Sequence, residues 1–305
     1  MAHTPYNKPA STIAQLIALL QTRGLVINDI PKAEHFLMHV GYYRLAGYWQ
    51  IFQNDTVQHI FVPGTTFEQV LELYNFDREL RLNVYDAIER IEISIRNVIV
   101  QHMCMAHHPY WFNTPDLAQN EQHFTENVLK IAEELDRSKE EFIIHHNNVY
   151  GVEDFPPAWK TMQVLSFGTL SKVYSNISTA LPEKNQIARS LGMPNYTYFV
   201  SWLQSISILR NLCAHHSRIS NRVYDFVPQR LVTAPNPWIR QLPPNMHFQR
   251  MLYNQLCTVK YLLDRASPGN SFSARLQDLI TRHPGVNVRR MGFLDGWTNE
   301  PLWLS

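Results

Sequence analysis

The sequence predicts an all-α fold, and three observations support this prediction. Apolar residues recur at intervals of three and four along most of the 305-residue chain, which is the spacing of one helix face. Runs of β-branched residues with the two-residue period of a strand are nearly absent. Hydrophobic residues make up 45% of the chain and charged residues 17%, a composition that can fill a packed core and excludes disorder.

The first part of the chain is predicted to hold three short helices before one long helix. Ser11 precedes an apolar series that ends at Gly24, so an N-cap and a C-terminal glycine delimit the first helix. Thr65 and Glu68 match a capping box that opens the long helix. The elements after the first helix are predicted at residues 30–40 and 42–52 (helices), 54–64 (a loop with a short extended stretch) and 67–105 (the long helix).

The rest of the chain continues the helical pattern, interrupted by prolines. Five prolines between residues 228 and 247 exclude a single helix there, because proline lacks the backbone N–H and blocks the preceding turn. Three segments follow from this pattern: an N-terminal helical segment (1–64), a helical core (65–227) and a basic C-terminal segment (228–305), most simply in one continuous domain. Helices are predicted over residues 117–136, from Ser138 to near Gly151, over 158–178, after Pro182, over 196–215 and over 248–265.

Composition also limits the class of protein. Three isolated cysteines, Cys104, Cys213 and Cys257, form neither a disulfide framework nor a zinc ribbon, which indicates a reducing compartment. The N-terminus has no leader pattern, and no stretch approaches the roughly 20 apolar residues that span a bilayer. The prediction is a cytoplasmic protein that does not enter a membrane.

Charge is distributed unevenly along the chain. The net charge is only +1, but residues 201–294 hold 12 Lys and Arg against three Asp, a local charge of +9. A basic segment of this kind gains affinity for phosphate by releasing condensed counterions, which favours a nucleic-acid partner. The alternative is a set of solvated surface arginines with no ligand.

An arginine interrupts an apolar helix face in the predicted helix 196–215. The steps between residues of this face are four and three, so Arg210 lies in line with Phe199, Leu203, Ile206 and Cys213. A guanidinium among packed side chains needs a carboxylate, carbonyl groups or a ligand phosphate as its partner. Arg210 is therefore either a phosphate-binding residue or a structural arginine paired with a carboxylate on another helix.

A histidine cluster follows Arg210 at the end of the same helix. His215 lies about 140° from Arg210 around a straight helix, so the two can act together only if the helix ends near Ala214 or a second surface completes the site. Asn211 stands between them. His216, Arg218 and Arg222 continue the polar cluster and are candidate RNA-binding residues. The alternative for the two histidines is a solvated helix end near the C-terminal dipole.

A second arginine and histidine pair occurs in the long helix. Arg96 and Asn97 precede His102 with a similar spacing. Arg96 also follows Glu92 by four residues, the favourable order for a surface ion pair, so a structural role competes with a catalytic one. His102 continues the apolar row of Ile88, Ile91, Ile95 and Ile99, from which it can face either a core or a catalytic groove.

Several common catalytic sites have no counterpart in the sequence. The pairs His107-His108 and His145-His146 lack carboxylates or cysteines at metal-ligand spacing, so no metal site is predicted. The glycines are scattered and do not form a phosphate-cradling loop, and no nucleophile elbow is present. No cofactor is predicted.

The stretch from Arg210 through Asn211 to His215 resembles the Rx4–6H signature of HEPN ribonucleases. Further blocks resemble the Abi-like proteins of bacterial abortive infection, the AbiD/AbiF group, over nearly the whole chain. These blocks include Gly-Tyr-Tyr-Arg-Leu-Ala-Gly-Tyr-Trp at residues 41–49, and residues 76–80, 89–96, 157–159, 165–172, 291–293 and 301–303. The resemblance implies a HEPN-like helical bundle in segment 65–227, with additional N- and C-terminal helices. It also implies an anti-phage or toxin role, metal-independent RNA cleavage, a homodimer and, in some members, a small noncoding RNA partner.

These residue types suit RNA cleavage without metal. RNA carries its own nucleophile in the 2′-OH, so the protein needs only a proton acceptor, a proton donor and a cation for the crowded phosphorane. His215 is predicted to transfer the proton, Arg210 to bind the phosphate oxygens and Asn211 to orient either group. The alternatives are a non-catalytic RNA-binding or phage-sensing helical protein and, with less support, a helical DNA-binding regulator.

Overall fold

The computed structural model describes residues 9–151, 154–241 and 243–304. Over these residues the chain is 64% helical, with 13 α-helices and one small two-stranded sheet, which confirms the predicted all-α fold. The contacts divide the chain into two compact units. One comprises the described residues up to Leu80 together with Asp278–Asn287, and the other comprises Arg81–Gln277 with the remaining C-terminal residues.

The first unit contains the three predicted short helices and the sheet. Thr12, one residue later than the predicted Ser11, caps the first helix, because its hydroxyl accepts the N–H of Gln15 while the Gln15 side chain accepts the N–H of Thr12. Gly24 follows the helix at a φ of 91°, where glycine is favoured. The elements are α1 (Ile13–Thr22), α2 (Ile30–His39), α3 (Tyr42–Trp49) and the antiparallel strands β1 (Gln53–Asp55) and β2 (Ile60–Phe61).

A 40-residue helix, α4, spans Phe67–Ala106. Its capping box is formed by Thr66 and Gln69, one residue after the predicted pair, since each side chain accepts the other residue's N–H. The predicted apolar row along the helix is buried, and its members Ile88, Ile91, Ile95 and Ile99 are at most 1% exposed. This row anchors α4 in the core of the second unit.

The remaining helices follow the predicted order with four differences, one of which is an unpredicted short helix at Met246–Gln249. The predicted helix 158–178 is two helices, because the Ser166 side chain accepts the N–H of Thr169 and the carboxylate of Glu134 accepts the N–H of Ser166. The helix predicted from residue 248 begins at Leu252, and a helix after Asn270 was not predicted. The bounds are α5 (Glu121–Asp136), α6 (Glu141–Tyr150), α7 (Ala158–Val164), α8 (Phe167–Ser175), α9 (Pro182–Ser190), α10 (Tyr196–Ala214), α11 (Met246–Gln249), α12 (Leu252–Ala266) and α13 (Phe272–Arg282).

Helix α10 is the central helix of the second unit and packs against α8, α9 and α12. Its side chains Trp202, Leu203 and Ile206 are completely buried. Trp202 also donates its indole N–H to the carbonyl of Gln229 (2.8 Å), which ties the proline-rich loop to α10. Packing on three sides holds α10 in place and positions its C-terminal end.

Candidate functional site

Arg210 is bound to a carboxylate of another helix. Its Nε lies 3.7 Å from Oε2 of Glu92 on α4, and no atom in the described part of the chain forms a hydrogen bond to this Nε. The Arg210 side chain remains 28% exposed, and its Nη1 donates a long hydrogen bond of 3.4 Å to Oδ1 of Asn211. The carboxylate therefore restrains one edge of the guanidinium while part of the group reaches the surface, where it can bind an anion.

The same carboxylate binds a second arginine. Arg96 donates to Oε1 of Glu92 and to the carbonyl of Met162 on α7. The predicted pairing of Arg96 with Glu92 is therefore present, but its predicted surface location is wrong, since the two side chains are only 7% and 15% exposed. Burial beneath α7 and these two hydrogen bonds indicate that Arg96 is a structural cation.

His102 does not join Arg96 in one site. Its Nε2 lies 2.9 Å from the hydroxyl of Ser190, at the end of α9. His102 follows Arg96 by six positions, which places the two about 120° apart around α4 and about 9 Å apart along it. Asn97 donates to the carbonyl of Ile93 within α4. The second predicted set of residues is thus spread over different contacts, and only Arg96 lies near Arg210.

The end of α10 determines the position of His215. The helix ends at Ala214, and the backbone N–H of His215 donates to the carbonyl of Asn211 (2.9 Å) as the C-cap. The next residue, His216, has a φ of 56°, in the left-handed region where glycine is the usual residue after a helix. The N–H of Ser217 then donates to the carbonyl of Leu212 (2.8 Å) and closes the turn. Both histidine side chains are exposed.

Arg210 and His215 point to different sides of α10. Asn211 and His215 are about 40° apart around the helix, whereas Arg210 is about 100° from Asn211 and about 140° from His215. Arg210 faces Glu92, while Asn211 and His215 are exposed. One chain therefore presents an exposed imidazole at a helix end and a partly shielded guanidinium at its flank.

The three predicted RNA-binding residues lie immediately beyond this helix end. His216 and Arg222 are exposed, and Arg218 is half-buried. Asn221 has a φ of 48°, a second left-handed residue in the same turn region. Tyr224 is buried and donates its hydroxyl to the carbonyl of Ile219 (3.1 Å). The turn thus displays positive charge next to His215 while its base is tied down.

Three other potentially reactive side chains, Cys104, His146 and Cys257, have shifted pKa values that keep them uncharged. Burial is the main cause of the raised thiol pKa values of Cys104 and Cys257, so both thiols stay protonated at neutral pH. Burial likewise lowers the pKa of His146, with smaller effects from the charges of Lys160 and His145, so its imidazole is neutral. The described residues contain no group of three or more His, Cys, Asp or Glu side chains arranged to hold a metal ion.

A cleft of about 800 Å³ lies between α5, α8 and α10, and the sequence analysis did not predict it. A sequence signal was present, since Gly168, Ser171 and Ser175 repeat at helical spacing on α8 and leave room beside α10. Polar residues on α10 complete the wall. Among the side chains that line the cleft are Asn127, Ser171, Lys172, Gln204, Ser207 and Ile208.

Comparison with known families identifies the class of protein. A family model described as Abi-like protein matches residues 35–221, more than half of the chain, so the chain belongs to the Abi-like family. The matched range includes Glu92, Arg96, Arg210 and His215. Membership points to a role in abortive infection, a defence of bacteria against phage. Searches of curated proteins and of solved structures returned no match. None of the helices in the described part is long and apolar enough to cross a membrane.

Proposed function

We propose that this Abi-like protein is a metal-independent endoribonuclease of the HEPN type, of the AbiD/AbiF group, that acts in abortive infection. One observation carries the proposal: α10 ends at Ala214 and leaves His215 exposed, five residues after an arginine that Glu92 restrains. A general base must reach its substrate, and a phosphate-binding guanidinium must hold its orientation. The family match covers both residues.

The reaction uses groups that the RNA and the protein already carry. The His215 imidazole takes the proton of the 2′-OH, and the 2′ oxygen attacks the adjacent phosphorus while the bond to the 5′ oxygen breaks. A protonated imidazole returns a proton to the departing 5′ oxygen. Arg210 stabilises the added negative charge on the phosphorane, and Asn211 orients the phosphate or the imidazole. The products are a 2′,3′-cyclic phosphate and a 5′-OH.

A two-fold dimer supplies the second imidazole and brings arginine and histidine to one phosphate. The 140° between Arg210 and His215 supports this arrangement, because one chain does not aim both at the same point. Exposed apolar side chains on α4 support it as well: Leu82 and Ile93 are 58% and 51% exposed and lie within about 20° of each other around the helix. Ile93 directly follows Glu92, the residue that restrains Arg210.

The alternative source of the second imidazole is His102 within the same chain. The contacts favour the dimer, since Ser190 holds His102 and ten residues, about 15 Å along α4, separate it from Glu92. Co-expressed Arg210→Ala and His215→Ala subunits should therefore recover part of the cleavage that each variant lacks alone. If mixed subunits recover no cleavage and a folded His102→Ala variant loses cleavage, then His102 of the same chain supplies the second imidazole.

The test of the reaction is cleavage in excess EDTA. The purified protein, freed of any bound RNA or inhibitor, should cut single-stranded RNA into products with 2′,3′-cyclic phosphate ends, and DNA of the same sequence should stay intact. Activity that disappears with chelator and returns with Mg²⁺, or products with a 3′-OH, would contradict the mechanism.

A second candidate function is non-catalytic RNA binding or phage sensing in the same defence role. The ion pair between Arg210 and Glu92 favours it, because a structural arginine needs no substrate. In this case RNA, including a small noncoding RNA, binds the basic C-terminal residues and stays uncut. His215→Ala would then leave both RNA binding and cellular RNA integrity unchanged in a bacterial host.

A further inference from the structure

We propose that the cleft between α5, α8 and α10 binds an unstacked base of the RNA substrate and thereby sets the sequence preference of cleavage. The assignment of RNA as ligand rests on the proposed function. The cleft measures about 800 Å³, within the range of about 300 to 1,000 Å³ that is usual for small-ligand sites. It therefore has room for a base together with its ribose.

Two buried polar side chains line this cleft with unused hydrogen-bonding groups. Asn127 and Ser171 are each only 9% exposed. Asn127 donates from Nδ2 to the carbonyl of Lys172 (3.5 Å), but in the described part of the chain its Oδ1 has no hydrogen-bond partner, and neither has the Ser171 hydroxyl. Both residues line the cleft, so an acceptor and a hydroxyl are available there for hydrogen bonds to a ligand.

The α10 wall connects the cleft to the candidate catalytic residue. Angles around the helix axis relative to Gln204 are about −60° for Ser207, about 40° for Ile208, about −20° for Asn211 and about 20° for His215. Gln204, Ser207 and Ile208 line the cleft, and Asn211 and His215 continue the same face toward the helix end. Ile208 is about 10 Å from His215 along the axis, which is about three steps of a stacked strand at 3.4 Å each.

The chemistry of the walls matches a base better than a phosphate chain. Asn127 and Gln204 each present an amide with both a donor and an acceptor, as the edges of the bases do. Val200 and Ile208 supply apolar surface for the flat faces of a base. The charged residues Lys172 and Glu126 oppose each other in sign, so the cleft has no strong attraction for a polyanion. Single-stranded RNA offers splayed bases whose edges can be bound in this way.

The test measures base preference in binding, with cleavage removed. In a His215→Ala background, the affinities for four short RNAs that differ at one central base are compared by fluorescence polarisation. We expect one base to bind about tenfold more tightly than the poorest, as for a base contacted by hydrogen bonds. Ser207→Phe, which fills the cleft, and Gln204→Ala, which removes one amide, should reduce this ratio to about twofold or less, relative to the same background.

Controls separate this inference from the proposed function. Gln101→Ala, the same change at an exposed residue of α4 outside the cleft, should leave the ratio unchanged. Gln204 is itself exposed, so its variant should fold even if Ser207→Phe does not. The inference is wrong if the ratio of affinities stays unchanged in Gln204→Ala and in a folded Ser207→Phe. It is also wrong if all four RNAs bind equally, or if a cleft variant alters only the oligomeric state. Base-selective binding without cleavage by the native His215 protein would instead refute only the nuclease.

Discussion

The two arginine and histidine pairs of this protein have nearly the same spacing and very different surroundings. Arg96 and His102 lie within the 40-residue helix α4, where Glu92 and Met162 bind the arginine and Ser190 contacts the histidine. Arg210 lies near the end of α10, and His215 follows its last residue. The comparison teaches that the exposure of the histidine in this short motif depends on a helix end rather than on the spacing.

The physical reason is the geometry of a regular helix. Five or six residues rotate a side chain by about 140° or 120°, so a continuous helix directs the two members of either pair away from each other. In α4 the Arg96 side chain contacts α7 and the His102 side chain contacts α9. At the end of α10 the left-handed His216 turns the chain away, and the His215 side chain stays exposed.

The sharpest test of this comparison removes each histidine in turn. Since a general base or acid contributes about 10²- to 10⁴-fold to a rate, His215→Ala should slow single-turnover RNA cleavage by a factor in this range. His102→Ala should change it by about twofold at most, because its contact is a hydroxyl of α9. Equal losses in two folded variants would show that both pairs belong to the site.

The two arginines should rank the other way round in their effect on stability, with Arg96 contributing more than Arg210. Arg96→Ala leaves Glu92 without its hydrogen-bonded partner beneath α7, and we expect a loss of about 3 to 5 kcal/mol in the free energy of unfolding. Arg210→Ala should cost about 1 kcal/mol or less, because its 3.7 Å pair is looser and partly exposed. Urea titrations of both variants measure the difference. A larger loss for Arg210→Ala would make it the structural member.

The basic residues after α10 should contribute to RNA affinity through charge alone. Replacing Arg218 and Arg222 together by Gln should lower the slope of log affinity against log salt by about one to two units, as for two lost phosphate contacts. Arg137→Gln, a change at an exposed arginine of another helix end, should leave the slope unaltered. If the double variant keeps the native slope, the RNA phosphates lie on a different surface.

The smallest expected effect concerns the turn itself. His216→Gly relieves a left-handed residue, a gain of up to about 1 kcal/mol that should offset the loss of the interactions of His216, so the free energy of unfolding should stay constant or rise. If His216 also contacts RNA, the same variant should bind RNA more weakly while being at least as stable. Thermal melting and binding in one buffer check both points. A variant that is less stable would show that the interactions of His216 outweigh the relief of its left-handed backbone.

The sequence predicted most helices because their determinants are local. The capping groups near Thr12 and Thr66 act over three residues, so their pattern is visible and was misplaced by only one position. The break at Ser166 escaped prediction because part of its stabilisation comes from Glu134, on another helix. The three-segment division of the chain stays a prediction.

By itself the sequence determined the helical class, the buried faces of α4 and α10 and the blocks that relate the chain to the Abi-like family. Caps and apolar periods depend on neighbours within one or two turns, which makes these features readable without coordinates. Only the tertiary structure decided that Glu92 binds Arg210 as well as Arg96, that Arg96 is buried and that three helices line one cleft. These features join residues far apart in the chain, and their distances depend on how whole helices pack.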